Sequence, residues 1–160
     1  MKVAVFVILV LSALLEKSEA KKFTKCELLP ILLDEGFPLE QIPDWYCLIQ
    51  SESSFNSSAV GGPNSNGSFD WGLFQINENF WCGVGKADHD CNIDCYDLVD
   101  DDLSDDLECV KKIYARHGFS AWNGWKKWCQ GTLPGIPVEC LPYGGRPLNP
   151  IDSENSPSSS

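Results

Sequence analysis

The sequence predicts an α+β fold in which helices come first, a small antiparallel sheet follows, and further helices complete the domain. Segments with helical spacing of apolar residues lie at both ends of region 24–129, and a stretch dense in Ser, Asn and Gly lies between them. The chain also carries eight cysteines, an even number. Because the predicted helices and strands form separate runs and do not alternate, a parallel sheet is not expected.

Two helices are predicted before the sheet. The apolar residues of segment 24–35 crowd on more than one face, and Gly36 follows as a helix-stopping residue. A short helix is expected there, interrupted or bent near Pro30. The run from Pro43 has mostly helical spacing, and proline suits a first helical turn. A second helix is therefore predicted from Pro43 to near Ser54.

The middle of the chain predicts a hairpin. Residues 56–68 contain the pair Asn66-Gly67, which favours a tight turn. The apolar and aromatic run from Phe69 to Ile76 is typical of a strand that returns from such a turn. A small antiparallel sheet is expected here.

The region after the sheet is predicted to be a loop followed by two helices. Residues 80–102 carry three cysteines and little periodicity, so a loop held by disulfides is expected. Helical spacing resumes at Ser104, and Asp105 and Asp106 place negative charge in the first turn, where the helix dipole favours anions. A further short helix is predicted over residues 121–129.

Both ends of the chain are predicted to lie outside the folded domain. Residues 1–20 contain an uncharged apolar block and close on Ser18-Glu19-Ala20, a small-x-small sequence typical of signal-peptide cleavage. The block is shorter than the roughly 20 apolar residues of a membrane-spanning helix, so a membrane anchor is the less favoured alternative. Residues 141–160 are rich in Pro, Gly and Ser and predict a disordered tail. Residues 21–140 then form one secreted, extracellular domain.

Cysteine usage indicates an oxidising compartment. All eight cysteines follow the predicted signal peptide, which points to four disulfides. Eight cysteines allow 105 pairings, so their number alone does not give the connectivity. The spacing Cys91-x3-Cys95 is loosely typical of zinc sites, but the chain has only His89 and His117 as imidazole ligands, and structural zinc is the weaker interpretation.

The charge excludes several classes of partner. The net charge is −11, and removal of residues 1–20 leaves it unchanged because that segment carries two basic and two acidic residues. Nucleic acid is therefore not expected as a partner. A small defence peptide acting on membranes is also disfavoured, because such peptides need a basic amphipathic helix. A monomer without membrane contact is expected.

Two carboxyl groups stand out for glycoside hydrolysis, which usually needs one carboxylic acid and a second carboxylate across a cleft. Glu52 lies near the end of a predicted helix, whereas Asp70 begins a predicted strand among polar residues. The chain has 23 acidic residues, so many other pairs are conceivable and most such groups are solvated. Glu52 and Asp70 are distinguished from the other carboxyl groups by the sequence around them. These segments are CLIQSESSFN from Cys47 and NGSFDWGLFQIN from Asn66.

These segments resemble the signature of the C-type (chicken-type) lysozymes, in particular those of invertebrates. The resemblance continues through Trp81-Cys82, Cys91, Ala121-Trp122 and later cysteines and covers residues 22–140. It implies a helical lobe, a small sheet lobe and cleavage of the β-1,4 bond between N-acetylmuramic acid and N-acetylglucosamine in bacterial peptidoglycan. Glu52 would be the general acid and Asp70 the nucleophile or electrostatic stabiliser, with no cofactor required for catalysis.

The resemblance also implies a set of residues that line the cleft. Trp122 matches the indole that packs against the acid in this family. Phe80 stands where tryptophan is common, so one N–H donor is lost, and the acidic residue of the upper cleft edge falls near Arg116 or His117. Six positions are expected to bind substrate: Gln75, Asn77, Phe80, Trp81, Ala121 and Trp122.

The disulfide pairing that the resemblance implies joins cysteines distant in the chain. The four expected pairs are Cys26 with Cys140, Cys47 with Cys129, Cys82 with Cys95, and Cys91 with Cys109. Each is expected to stabilise the fold by about 2–4 kcal/mol.

The acidic string Asp100-Asp101-Asp102-x-x-Asp105-Asp106 leads into the predicted helix at Ser104. It resembles the calcium loop of α-lactalbumin and the calcium-binding C-type lysozymes. Close like charges repel, and a hard divalent cation with oxygen ligands would relieve that repulsion. Side-chain oxygens would come from Asp100, Asp105 and Asp106, and backbone carbonyls from Asp97 and Asp102. The alternative is a solvated helix start that the dipole favours.

Two further expectations concern glycosylation and a non-catalytic role. Asn56 and Asn66 begin glycosylation sequons, and Asn66 is expected to stay unmodified because a glycan beside the cleft would obstruct substrate. The competing function is a binding protein on the same scaffold, like α-lactalbumin or the sperm lysozyme-like proteins. Those relatives typically lack one or both carboxylates, whereas Glu52 and Asp70 are both present here.

Overall fold

The computed structural model describes residues 21–141 and has the predicted α+β architecture. Two helices precede a three-stranded antiparallel sheet, and two more helices follow it. The predicted signal peptide at 1–20 and all of the predicted tail after residue 141 lie outside the described residues.

The first two helices lie close to where the sequence predicts them. Helix α1 spans Lys25–Asp34 and begins with a capping box, in which Thr24 and Glu27 satisfy each other's backbone N–H groups. It is continuous across Pro30. Helix α2 spans Ile42–Ser53, with proline in its first turn, and its last turn brings Glu52 to the edge of the sheet region.

The small antiparallel sheet is present as predicted and has three strands of two residues each. Its strands are β1 (Val60–Gly61), β2 (Asp70–Trp71) and β3 (Ile76–Asn77). The register places Asp70 of β2 between Gly61 of β1 and Asn77 of β3. This pairing carries an acidic side chain and an amide to adjacent positions on neighbouring strands.

The prediction of one strand from Phe69 to Ile76 is wrong, because the chain turns inside this run. Gly72 has a φ of +76°, and Gln75 has a φ of +50°. A Cβ atom on Gly72 would lie 2.0 Å from the carbonyl oxygen of Leu98, so only glycine fits this close approach. The turn converts one apolar run into two short paired strands.

Two helices follow the disulfide-rich loop. Helix α3 spans Ser104–His117 and carries its buried residues on one face. A short 3₁₀ helix over Gly118–Ala121 leads to helix α4, which spans Asn123–Trp128 and is shorter than the predicted helix at 121–129.

The core contains an aromatic cluster around Trp45 of α2. The indole of Trp45 is 1% exposed and makes edge contacts with Phe37, Phe74 and Trp122, at ring-centroid distances of 5.0, 6.3 and 5.8 Å. Residues from α2, from the turn between β2 and β3 and from the segment before α4 therefore pack on one centre. This packing fixes Trp122 relative to the end of α2.

Four disulfides tie the elements together, in the same pairing that the resemblance implies. They join Cys26 with Cys140, Cys47 with Cys129, Cys82 with Cys95, and Cys91 with Cys109. The last two hold the loop between the sheet and α3. Within residues 21–141, no helix has the length and apolar character that a bilayer crossing requires.

Candidate active site

A groove with a volume of about 360 Å³ lies where the end of α2, the sheet and the start of α4 meet. Glu52 and Asp70 both line it. The six positions expected to bind substrate also line it: Gln75, Asn77, Phe80, Trp81, Ala121 and Trp122. The structure thus brings together residues that are far apart in the sequence.

Glu52 lies partly buried in the groove, in the last turn of α2. Its Oε1 accepts a hydrogen bond of 2.8 Å from the backbone N–H of Gly124. Burial raises the pKa of Glu52 above its ordinary value of 4.5; the Gly124 bond opposes this effect, and the negative charge of Asp70 adds to it. The balance favours a carboxyl group that keeps its proton at higher pH than a solvated glutamate.

Gly124 permits the close approach of α4 to Glu52. A Cβ atom at this position would lie 2.6 Å from Oε1 of Glu52 and 2.6 Å from Oγ of Ser51. The backbone of α4 can therefore reach the carboxyl group only because the residue has no side chain. Sequence reasoning missed Gly124, since a single glycine in a short helix carries no signal of its own.

Asp70 lies in a polar setting that differs from that of Glu52. Its Oδ2 accepts a hydrogen bond of 2.8 Å from Nδ2 of Asn64, and its Oδ1 accepts one of 2.7 Å from Nδ2 of Asn77. The two amides therefore hold both oxygens of the carboxylate in a fixed orientation.

The buried hydroxyl of Ser68 links the two amides. Its Oγ accepts hydrogen bonds from Nδ2 of Asn64 at 3.1 Å and from Nδ2 of Asn77 at 2.9 Å, and it donates to Oδ1 of Asn66 at 2.8 Å. Sequence reasoning treated Asn64 and Ser68 only as turn residues. A sequence feature that could have indicated their role is their position: Asn64 and Ser68 are polar residues on either side of the Asn66-Gly67 pair, shortly before Asp70.

The predicted cleft residues differ in exposure and in bonding. The ring of Phe80 is 60% exposed, whereas Trp122 is buried and donates from Nε1 to the carbonyl of Phe74 at 2.8 Å. The amide of Gln75 donates to the backbone carbonyls of Ala59 and Gly72, so it fixes the turn between β2 and β3. Phe80 thus offers a free aromatic face, and Trp122 forms a fixed wall.

The five aspartates of the acidic string lie apart from the groove, around the start of α3. Asp106 is 1% exposed, and within the described residues neither of its carboxylate oxygens has a hydrogen-bond donor. Burial and the charges of Asp105 and Asp100 raise the pKa of Asp106 well above its ordinary value. Asp102 accepts a hydrogen bond from the backbone N–H of Ser104, the first residue of α3.

The acidic string meets one condition for a cation site and lacks another. A buried carboxylate without a donor fits a hard cation, which accepts oxygen ligands. In the part of the chain that the structure describes, however, no three acidic, histidine or cysteine side chains are already drawn together around one point. The donor chemistry therefore fits calcium, and ion binding would require the side chains of this loop to converge.

Comparisons with known proteins identify the family of the chain. Residues 21–140 match the family model described as C-type lysozyme/alpha-lactalbumin family. The chain is 47% identical over 137 residues to Lysozyme c-1 of Anopheles gambiae. The matched region covers 85% of this chain and 97% of that protein. It is 48% identical over 118 residues to the lysozyme of Galleria mellonella, covering 72% of this chain and 98% of that protein.

Solved structures show the same relationship. The fold is similar to that of lysozyme from Equus asinus, with a TM-score of 0.63 and 39% identity over 70% of this chain and 92% of that one. It is also similar to a calcium binding lysozyme from equine milk, with a TM-score of 0.61, 37% identity and the same coverage. The chain belongs to the C-type lysozyme/alpha-lactalbumin family.

Proposed function

We propose that the protein is a retaining glycoside hydrolase that cleaves the β-1,4 bonds between N-acetylmuramic acid and N-acetylglucosamine in bacterial peptidoglycan. The observation that carries this proposal is the placement of Glu52 and Asp70 on one groove in unlike surroundings. A glycosidase needs this asymmetry, because one carboxyl group must hold a proton while the other is ionised. Relatives named lysozyme, 38–48% identical over most of the chain, support the same activity.

Each carboxyl group has one role in the reaction. Glu52 in its protonated form donates its proton to the glycosidic oxygen, and the leaving sugar departs with that oxygen. Asp70, held by the amides of Asn64 and Asn77, meets the positive charge that develops at the anomeric carbon, as nucleophile or as electrostatic stabiliser. Glu52 then accepts a proton from water as the water oxygen attacks the anomeric carbon, and any bond between that carbon and Asp70 breaks, so the product keeps its configuration.

The remaining groove residues position the sugar rings. The exposed face of Phe80 can cover the apolar face of a ring, and Trp81 lies next to it in the groove lining. Ala121 and Trp122 contribute the wall near α4. No cofactor is needed for these steps, since the chain supplies both the acid and the second carboxylate.

Peptidoglycan hydrolysis by wild type and by Glu52→Gln tests this proposal. The amide keeps the size of the side chain and an oxygen that can accept the Gly124 bond, but it has no acidic proton to transfer to the glycosidic oxygen. General acid catalysis contributes typically 10²–10⁴-fold, so we expect the variant to lose at least about 100-fold in kcat. Glu40→Gln, which alters an exposed carboxyl group outside the groove, is the matched control. Near-normal turnover by Glu52→Gln would refute the assignment.

The non-catalytic alternative has no observation in its favour. A binding protein on this scaffold needs neither a buried acid nor a carboxylate fixed by amides. Both features are present in the groove.

We also propose a structural calcium ion at the acidic string. Asp100, Asp105 and Asp106 would supply side-chain oxygens, and Asp97 and Asp102 would supply backbone carbonyls. The ion would neutralise the repulsion among these groups and give the buried oxygens of Asp106 a partner. The resemblance to calcium-binding lysozymes and the unsatisfied carboxylate of Asp106 support this proposal.

Calcium titration by calorimetry and thermal unfolding with and without chelator test the ion site. A ligand at 100 times its Kd stabilises a fold by about 2.7 kcal/mol, so chelation is expected to lower the Tm by several degrees. Asp106→Asn should abolish this difference, whereas Glu108→Gln, an exposed change on the same helix, should preserve it. A Tm that is indifferent to calcium would eliminate the site.

We further propose that residues 1–20 are removed on secretion and that the mature domain is an extracellular monomer without nucleic-acid or membrane partners. The four disulfides support export, since such bonds persist in oxidising compartments. N-terminal sequencing of the secreted product tests the cleavage, and the expected first residue is Lys21. A product that retains residues 1–20 would contradict it.

A further inference from the structure

A second cavity continues the groove at one end. Its volume is about 570 Å³, and it shares Phe80, Trp81 and Ala121 with the groove. A polysaccharide that lies along the groove can therefore extend into it. Its other walls differ in chemistry from those around Glu52 and Asp70.

The second cavity gathers cationic and imidazole groups in a chain that is otherwise strongly acidic. The chain has two histidines and a net charge of −11, and both His89 and His117 line this cavity together with the ion pair of Arg116 and Asp90. The groove lining, by contrast, carries the two carboxyl groups and no basic residue. The lining thus carries two carboxyl groups in the groove and a balanced ion pair in the second cavity, so the negative charge decreases along one continuous surface.

Arg116 is held in place by two contacts. Its Nη1 donates to the carboxylate of Asp90, and its guanidinium lies over the indole of Trp81, 5.2 Å from the ring centroid. The ring of His117 meets the same indole edge-on at 5.9 Å. A guanidinium has five N–H donors, and the Asp90 bond uses only part of them. The remaining donors of Arg116 are available to a ligand, because the side chain is 55% exposed.

We propose that this cavity is a carboxylate-selecting subsite and that Arg116 determines its specificity. This proposal rests on the proposed glycosidase function. It names a subclass of substrate, namely glycans that carry free carboxylate groups. An anionic group placed near Glu52 and Asp70 would meet like charge, whereas in the second cavity it meets the free N–H donors of Arg116 beside a single carboxylate, that of Asp90. This difference therefore favours the second cavity as the place along the groove where a charged sugar residue binds.

Steady-state kinetics with charged and neutral glycans tests the subsite. The substrates are soluble peptidoglycan chains with their peptide carboxylates free, the same chains with those carboxylates amidated, and peptide-free chains with free lactyl carboxylates. Because the Asp90–Arg116 pair is about half exposed, a carboxylate should lower KM by only about three- to fivefold relative to the amidated chains. The peptide-bearing and peptide-free arms show which carboxylate is bound.

Arg116→Gln should bring the ratio of KM values for amidated and free chains to one, and Arg116→Lys should preserve part of the preference. Lys112→Gln is the matched control, since Lys112 lies on the same helix, pairs with Glu108 and does not line the cavity. The proposal is overturned if wild type shows no preference for either kind of carboxylate. It is also overturned if Arg116→Gln raises KM equally for charged and amidated chains, because Arg116 then only supports the Trp81 ring.

Failure of the subsite and failure of the proposed function give different results. Calorimetric binding of the same three glycans needs no turnover and reports the carboxylate preference directly. If wild type cleaves none of the substrates, the glycosidase proposal fails, while the binding ratio still decides the role of Arg116.

Discussion

Replacement of Ser68 by alanine should separate the stability of the hairpin from the placement of Asp70. The Ser68 hydroxyl is buried and makes three hydrogen bonds, two with the amides that hold Asp70 and one with Asn66. A buried hydrogen bond contributes about 1 kcal/mol net, so its loss should cost about 1–3 kcal/mol in the free energy of unfolding. The lower part of this range applies if the amides keep their bonds to Asp70.

The same substitution should lower kcat by about tenfold, with little change in KM. The amides of Asn64 and Asn77 lose the hydroxyl that fixes their common position, so the carboxylate of Asp70 is less well placed against the developing positive charge. A tenfold loss corresponds to about 1.4 kcal/mol of transition-state stabilisation. Urea unfolding and wall-glycan hydrolysis measure the two effects.

Ser57→Ala is the matched control for this substitution. Ser57 is fully buried and its hydroxyl donates to Asp101 at 2.8 Å, but it does not line the groove. It should lose a comparable part of the unfolding free energy and retain kcat. If Ser68→Ala turns over within twofold of wild type, the hydroxyl does not position Asp70 and the argument is refuted.

Two further outcomes follow from the structure. Because the pKa of Glu52 is raised, its protonated form should persist above pH 4.5, and kcat should fall as pH rises through the raised value; an alkaline optimum on soluble wall glycan would contradict this. Disulfide removal should cost more for Cys26–Cys140, separated by 114 residues, than for Cys82–Cys95, separated by 13. The loop-entropy relation gives a loss of about 5 kcal/mol for Cys26–Cys140 and about 3 kcal/mol for Cys82–Cys95. Urea unfolding of the two double-serine variants measures both losses, and the opposite order would contradict this prediction.

Sequence reasoning located the helices because their signals are local. The apolar spacing from Pro43 and the acidic first turn at Ser104 depend only on residues within each helix. The strand from Phe69 to Ile76 was wrong because its interruption depends on a distant contact. Gly72 turns the chain against the carbonyl of Leu98, and nothing within the apolar run reveals that approach.

The site could be predicted only in part, for a similar reason. Glu52 and Asp70 were found through the motifs around them, since their residue types alone do not distinguish them from other carboxyl groups. The residues that shape their environments were missed because each acts through a contact across the fold. Gly124 reaches Glu52 from another helix, and Ser68 acts on Asp70 through two amides.

The two halves of the fold supply the two environments that the proposed reaction needs. The end of α2 packs against α4 and buries Glu52, whereas the hairpin before β2 surrounds Asp70 with amide donors. The two environments are coupled only through the charge of Asp70, which contributes less to the raised pKa of Glu52 than burial does. Ser68→Ala leaves the burial of Glu52 intact, so it should lower kcat with little movement of the pH at which activity falls. A shift of that pH in the Ser68 variant would mean that the hairpin also controls the acid, and the division of roles between the two halves would have to be abandoned.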